Sequence, residues 1–312
     1  MAVDIGLLVY LGAWYLGNYY YNIYNKLAAK EAGGTTYAMT LATLQLLVGS
    51  VYAIFLWVAP EARALPKITF SQFVSLAPLG FFAAAAHAGA VFAMSAGAVS
   101  FGQIVKAAEP AFAAAVGYLV YDSKISYAKI MCLIPIIGGI WIASVEELDF
   151  TFGALAAASI ANVASAFRGG ENKRVMGDKS TKEALGGAGN TYAITTIWAN
   201  IMLIPLIFLS GEYEKMGEFK ELWNKNSALR YNTYMSGITF YLYNEVSTLA
   251  LKSISGVAHS VANTAKRAII IVGCAIAFGE SMAPLKMAGC TIAICGTFLY
   301  AIADELVKKK TA

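Results

Sequence analysis

Residues 257–278 read VAHSVANTAKRAIIIVGCAIAF, an apolar run interrupted near its middle by two adjacent cations, Lys266 and Arg267. About 20 apolar residues in helical form cross the hydrocarbon of a bilayer, so the run reads as a membrane-spanning helix. A cation at mid-bilayer costs about 2.5 to 3.5 kcal/mol even on lenient insertion scales, so two in succession need a reason. Snorkelling to the headgroups is one reason, but each side chain lies roughly 9 to 11 residues from an end of the run, about 14 Å at 1.5 Å per residue. Pairing with a structural carboxylate is a second. A buried anion site is the third, and it is the reading favoured here.

The rest of the chain has the same character. Its 312 residues are 58% hydrophobic and only 13% charged, with a mean hydropathy of +0.60. That is too apolar for an ordinary soluble domain and describes a polytopic protein whose partner is the lipid bilayer. The formal charge of +4 is small, and no basic run interleaved with aromatics points to nucleic acid. Cys132, Cys274, Cys290 and Cys295 all lie in apolar runs without CxxC spacing and read as packing residues. There is no metal-ligand cluster, no nucleophile with a matched base and no glycine-rich phosphate loop, so neither a catalytic site nor a cofactor is expected. Gly169, Gly170, Gly186, Gly187 and Gly189 read as helix-end and loop glycines. The first residues, MAVDIGLLVYLGAWYLG, enter an apolar helix at once, so a targeting peptide is expected to be removed or never present.

Windows of about 20 mostly apolar residues recur at 5–26, 36–58, 71–94, 99–120, 127–145, 151–170, 190–210, 232–251, 257–278 and 285–303. The fold expected is therefore an all-α integral membrane protein of ten transmembrane helices, with both termini on one side. Polar connections fall at 28–35, 60–67, 174–189 and 211–230, the last long enough for a short amphipathic surface helix. The termini side carries Arg63, Lys67, Lys124, Lys129, Lys173, Arg174, Lys179, Lys182, Lys252 and Lys308 to Lys310. The other has Lys26, Lys30, Lys215, Lys220, Lys225, Arg230 and Lys286, so the excess places the termini on the side from which insertion occurs.

An internal repeat organises these windows. Residues 98–147 align without a gap on 256–305 at a constant offset of about 158, an extent of self-similarity found in inverted-repeat carriers. Val99 falls on Val257, Asp122 and Ser123 on Glu280 and Ser281, Gly138 on Gly296, and Glu146 and Glu147 on Asp304 and Glu305. Asn25 and Lys26 end the first span much as Asn172 and Lys173 follow the sixth. Residues 1–147 and 148–312 are thus expected to be two five-helix repeats forming one transport unit. Five is odd, so the repeats are inverted, with substrate held between them near the midplane.

The fourth window carries Lys106, Glu109 and Pro110, and its repeat mate carries Lys266 and Arg267. Inversion lets these cations converge on one ligand, a lysine as a point charge and an arginine as a planar fork suited to phosphate or carboxylate. Lys106 and Glu109 are three apart, so a local helical ion pair stands as an equal alternative for Lys106. Pro110 removes a backbone hydrogen bond and is expected to bend the helix. Arg168, near the end of the sixth window, can reach headgroups unaided. His87 in the third window corresponds to Tyr243, Asn244 and Glu245 in the eighth. His87 and His259 read more readily as satisfied packing residues, and Tyr243 as an amphipathic aromatic, than as ligand contacts.

The segments FYLYNEVSTLALKSISGVAHSVANTAKRAIIIV, AVSFGQIVKAAEPAF and AWYLGNYYYNIYNKL resemble the plastid phosphate translocators of the drug/metabolite transporter superfamily, most closely the triose-phosphate type. The resemblance covers nearly the whole chain. It implies a ten-helix carrier of the inner plastid envelope that exchanges inorganic phosphate for phosphorylated three-carbon compounds, triose phosphate or 3-phosphoglycerate. It also implies that Lys106, Lys266 and Arg267 bind phosphate and that His87, Arg168 and Tyr243 line the pocket. His259 resembles the triose-phosphate and phosphoenolpyruvate types, and Asn244 leans to the triose type. The chain departs from the family pattern at Gly102 and Gln103, where Thr-His is common, at Ala88 to Ala90, where hydroxyls are common, and at Ala262, where glycine is usual. Lost hydroxyls remove hydrogen bonds to a ligand, which bears on fine substrate preference and not on the class. Rival readings are a phosphoenolpyruvate, sugar-phosphate or nucleotide-sugar carrier of the same superfamily and, from another class, an anion channel.

Overall fold

A computed structural model describes residues 5–145 and 151–311 of the chain, without the side chains of 5, 251–253, 256 and 308–311, and every regular element in it is helical. The expected match of Glu146 and Glu147, and the side chains of Lys252 and Lys308 to Lys310, lie outside the described residues. The first half contains α1 (Ile5–Glu31), a 3-10 turn at Gly34–Tyr37, α2 (Ala38–Val58), α3 (Phe70–Ser75), α4 (Ala77–Ala96), α5 (Val99–Lys106), α6 (Glu109–Val120) and α7 (Tyr127–Val145). The second contains α8 (Phe152–Gly177), α9 (Lys179–Leu185), α10 (Ala188–Leu209), a 3-10 turn at Glu212–Lys215, α11 (Met216–Lys225), α12 (Ser227–Ser253), α13 (Gly256–Phe278) and α14 (Pro284–Thr311).

Among the described residues, six helical segments are long and apolar enough to cross a membrane: Gly34–Val58, Phe70–Ala96, Tyr127–Val145, Ala188–Leu209, Val257–Phe278 and Pro284–Val307. The polarity of the molecule is inverted relative to a soluble protein. Val58, Leu119, Trp141 and Ile276 are each at least three-quarters exposed, whereas Asn22, Asn25, Gln45 and Asn162 are fully buried. A surface of that kind suits hydrocarbon, and several of the buried amides donate inward: Gln45 to Asn25 at 2.6 Å, Gln103 to Asn22 at 2.8 Å and Asn162 to the Val105 carbonyl at 2.9 Å.

The fourth window is not one helix. α5 stops at Lys106 and α6 starts at Glu109, with Pro110 in its first turn. Proline has no N–H to give the Lys106 carbonyl, and its ring crowds that carbonyl, so the ladder ends there. The amides of Ala107 and Ala108 turn back to Ile104 and Val105 at 2.9 and 3.0 Å in tighter i to i−3 contacts. The expected bend is a full break.

Pairs of helices then pack in a pattern that recurs across the halves. α1 lies on α12 and α4 on α8, α4 also meets α10 and α2 meets α12, while α7 crosses α14. At that last crossing a Cβ on Gly139 would come within 2.5 Å of the Ala293 amide, and one on Gly289 within 2.5 Å of the Ala143 amide. Two small-xxx-small motifs, Gly139 with Ala143 and Gly289 with Ala293, bring the backbones together.

Several connections depart from expectation. α8 continues past the sixth window to Gly177, so Gly169 and Gly170 lie inside a helix, where a Cβ on Gly170 would strike the Tyr121 ring at 2.2 Å. Most of the supposed loop at 174–189 is helix, because Asp178 caps α9 through the Ser180 and Thr181 amides, both at 3.2 Å. Those hydrogen bonds, the Thr181 hydroxyl foremost, hold the Asp178 carboxyl below its ordinary range. The 211–230 connection does hold a short helix, α11, with Phe219 buried, and it does more than connect. Its Glu212 receives the Met39 and Thr40 amides at the start of α2, at 2.8 and 2.7 Å. Lys286, counted as a loop charge, is almost fully buried and donates to Ser100 Oγ at 3.1 Å. Arg63, also counted so, folds inward onto the buried Glu245 of α12. Among the cysteines Cys274 and Cys290 are packed, but Cys295 is exposed on α14.

Candidate functional site

The break between α5 and α6 puts Lys106 at the C-terminal end of one helix and Glu109 at the N-terminal end of the next. Both charges oppose the partial charge of the helix end that carries them. α13 runs unbroken opposite, started by Ser255, whose hydroxyl accepts from the Ala258 amide at 3.1 Å, and ended at the left-handed Gly279. Lys266 and Arg267 sit near its middle. α8 contributes Arg168 and Ser165, α12 contributes Tyr243 and Asn244, and α1 contributes Trp14 and Asn18.

These side chains enclose a cavity of about 240 Å³ between the helices. Of the eight residues expected at a site, Lys106, Arg168, Tyr243, Asn244, His259, Lys266 and Arg267 line it. His87 does not. It is buried with its ring centroid 4.3 Å from that of Phe240, and it lines an adjoining cavity that shares Arg168, Asn244 and His259 with the central one. Arg168 is no headgroup anchor, because α8 runs past it to Gly177 and its side chain faces the cavity.

The charges are unequal in their surroundings. Glu109 pairs with Arg267 of α13 and not with Lys106, since the helix break removes the i, i+3 geometry. Lys266 lies over two aromatic faces, with Nζ 4.9 Å from the Trp14 ring centre and 5.8 Å from that of Tyr243. An aromatic face attracts a cation without neutralising it. Trp14 in turn stacks on His259, with centroids 4.7 Å apart, and His259 shares a hydrogen bond of 3.1 Å with Ser247. Among the described residues Lys106, Arg168 and Lys266 have no carboxylate within 4 Å. Four cations and one carboxylate therefore face the cavity, a net charge of three positive.

Three cations without counter-ions in a small cavity between helices are costly empty and receptive to a multiply charged anion. Lysines and an arginine from α5, α8 and α13 can each direct N–H groups at phosphate oxygens. The tyrosine, asparagines and serines offer hydrogen bonds to the remainder of an organic phosphate. The cavity also takes in Trp14, Asn18, Asn22, Ser165, Ser247 and Asn263, which are not expected from the sequence, and Gln103, expected only as a departure from the family pattern. The signal available was polar residues at helical spacing on α1, since Asn18, Asn22 and Asn25 fall on one face.

A further cavity of about 650 Å³ adjoins the central one through Glu109 and Ser165 and leads between α6 and α8 to Lys124, Lys173 and Arg174. The site thus continues toward the end of the molecule where α6 meets α7.

A model of the Triose-phosphate Transporter family matches residues 5–301. The xylulose 5-phosphate/phosphate translocator, chloroplastic, of Arabidopsis thaliana is 33% identical over 99% of this chain and 72% of its own length. Phosphoenolpyruvate/phosphate translocator 3, chloroplastic, of Oryza sativa subsp. japonica is 33% identical over 92% of this chain and 72% of its own. The triose phosphate/phosphate translocator, non-green plastid, chloroplastic, of Brassica oleracea var. botrytis is 30% identical over 99% of this chain and 75% of its own.

Proposed function

Because the chain belongs to the Triose-phosphate Transporter family, we propose that it is an antiporter exchanging inorganic phosphate for a phosphorylated three-carbon compound, triose phosphate or 3-phosphoglycerate. The observation that carries the reading is the cavity between the helices, with Lys106, Arg168, Lys266 and Arg267 facing it against a single carboxylate. Lys106, Lys266 and Arg267 take the phosphate. Arg168, Tyr243, Asn244 and His259 take the organic part, with His87 behind them in the adjoining cavity.

We read residues 1–147 and 148–312 as two inverted repeats of five membrane helices, the fourth of them broken into α5 and α6. The recurrence of packing pairs supports this: exchanging each helix for its repeat mate turns α1 on α12 into α8 on α4, and α2 on α12 into α10 on α4. Alternating access then amounts to rocking one set of pairs against the other around a fixed site. The relatives' names are chloroplastic, which supports a place in the plastid inner envelope.

The name of the xylulose 5-phosphate relative favours a second reading, in which the organic substrate is a larger sugar phosphate. The test is uptake of phosphate into liposomes preloaded with phosphate, triose phosphate, 3-phosphoglycerate, phosphoenolpyruvate or xylulose 5-phosphate. Three-carbon phosphates should drive uptake best, and Lys266→Ala and Arg267→Ala should each abolish it. Uptake indifferent to the internal anion would overturn exchange, and uptake best driven by xylulose 5-phosphate would move the assignment to the larger sugar.

A further inference from the structure

The two ends of the molecule are held differently. Where α4 gives way to α5, Glu280 at the end of α13 receives the Val99 and Ser100 amides at 2.7 and 2.9 Å. At the same corner Lys26 of α1 donates to the Met94 and Gly97 carbonyls at 2.9 and 2.7 Å. A carboxylate thus sits on a helix N-terminus and an ammonium on a helix C-terminus, each opposite to the partial charge it meets. Glu280 and Lys26 fasten the α4–α5 corner to the ends of α13 and α1.

The repeat counterparts of these two charges stand at the other end, and there they are disengaged. The offset of about 158 that carries Val99 onto Val257 carries Asp122 onto Glu280, and Lys26 corresponds to Lys173. Both acids follow a helix end in the left-handed region, Glu280 just after Gly279 at φ 64° and Asp122 itself at φ 48°. Glu280 and Lys26 are half-buried, whereas Asp122 and Lys173 are exposed and have no hydrogen-bond or ion-pair partner among the described residues. Lys173 lines the cavity that leads out of the site at this end, beside the neighbours of Asp122.

We propose that Asp122 and Lys173 close the carrier at this end. In the opposite-facing state Asp122 receives the Val257 and Ala258 amides at the start of α13, and Lys173 donates to the carbonyls of Lys252 and Ser255. Glu280 and Lys26 let go as they engage. The assignment rests on the exchange reading above, because only a carrier that closes at alternate ends has two such states. It places each Glu280 and Lys26 contact of the fastened corner on its repeat mate, so one charge arrangement serves both gates.

The test uses the full-length chain in liposomes, with its four cysteines replaced and exchange verified. The Lys286 ammonium donates to the Ser100 hydroxyl at 3.1 Å and to the Ser281 main-chain carbonyl at 3.0 Å, which holds the two residues side by side, so Ser100→Cys with Ser281→Cys should cross-link at rest. The counterpart pair, Ser123→Cys with Ala258→Cys, should cross-link only while phosphate exchange is running. Either bridge should arrest exchange, and reduction should restore it. Asp122→Asn should slow exchange about two- to five-fold, the worth of one charge at a helix end, with phosphate affinity unchanged, and Asp122→Glu should restore the rate. A counterpart pair that exchanges at the wild-type rate and never cross-links would overturn the gate, as would wild-type kinetics in Asp122→Asn. A wild-type chain that exchanges nothing would overturn the carrier reading itself, before any variant is made.

Discussion

Lys266 and Arg267 are neighbours in the chain, yet they differ in what their loss leaves behind. Removing Lys266 uncovers two aromatic faces, which need no counter-charge. Removing Arg267 strands Glu109, whose side chain is about two-thirds buried. Breaking a buried ion pair from one side costs roughly 3 to 5 kcal/mol, and the partial exposure of Glu109 brings that down toward 1 to 3. Arg267→Ala should therefore melt several degrees lower than wild type in detergent, while Lys266→Ala should melt unchanged and lose transport alone. Adding Glu109→Gln to Arg267→Ala should recover most of the loss, a coupling that a double-mutant cycle measures. Equal melting of the two single variants would sink the argument. The sequence offered Lys106 as an equal alternative partner for Glu109, and the structure does not form that pair because i, i+3 spacing is a rule for continuous helices. A better signal was present: Glu109 and Arg267 are 158 positions apart, the offset that relates the repeats. On the inverted-repeat reading proposed above, two residues that are each other's mates meet where the two-fold relation between the repeats would bring them to one axis.

At the scale of elements, two crossings carry testable consequences. The α7–α14 crossing has no room for a side chain at Gly139 or Gly289, because what a Cβ would meet is backbone, within 2.6 Å. Gly139→Val should force the helices apart and cost about 1 to 3 kcal/mol of overpacking, read as a fall in melting temperature, whereas Gly138→Val, with open space around it, should not. The second consequence lies at the α5–α6 break. Pro110→Ala lets an N–H reach the Lys106 carbonyl, so α5 and α6 should merge. Lys106 and Glu109 then return to neighbouring positions on one helix, and Glu109 is drawn off Arg267. The expected outcome is more helix by circular dichroism together with weaker phosphate binding. A variant that gained helix and bound phosphate as wild type does would show that the break is not needed at the site. That Pro110 disturbs the helix was legible in the sequence, but the completeness of the break was not, because it depends on the two tighter turns at Ala107 and Ala108. The length of α8 was missed for a similar reason. Its polar last turns, 171–177, look like a loop to a hydropathy window and are helical because a polar helix outside the hydrocarbon still satisfies its own backbone.

For the whole molecule, six of the ten apolar windows coincide with helical segments that are long and apolar enough to cross a bilayer among the described residues, since an apolar run of about 20 residues has few alternatives there. Hydropathy said little about which polar groups lie inside, because buried amides such as Asn22 and Gln45 differ from exposed ones only by the face they occupy. Function at this scale turns on the net charge of the cavity. Closing it empty leaves buried cations without partners, and if that raises the barrier by about 3 kcal/mol, the empty carrier crosses roughly a hundredfold more slowly than the loaded one. Coupling would then follow from charge alone, and it should move with charge in both directions. Glu109→Gln removes the one carboxylate that faces the cavity among the described residues, so the empty crossing should become slower still and leak into unloaded liposomes should fall. Gln103→Glu places a second carboxylate on the lining, so the empty carrier should cross faster, leak should rise and phosphate affinity should drop. A gate that worked by shape alone would respond little to either change, since both substitutions are nearly isosteric. Leak and exchange measured side by side in the two variants separate the accounts. Opposite shifts in the ratio of leak to exchange support charge-controlled coupling, and shifts of the same sign, or none, exclude it.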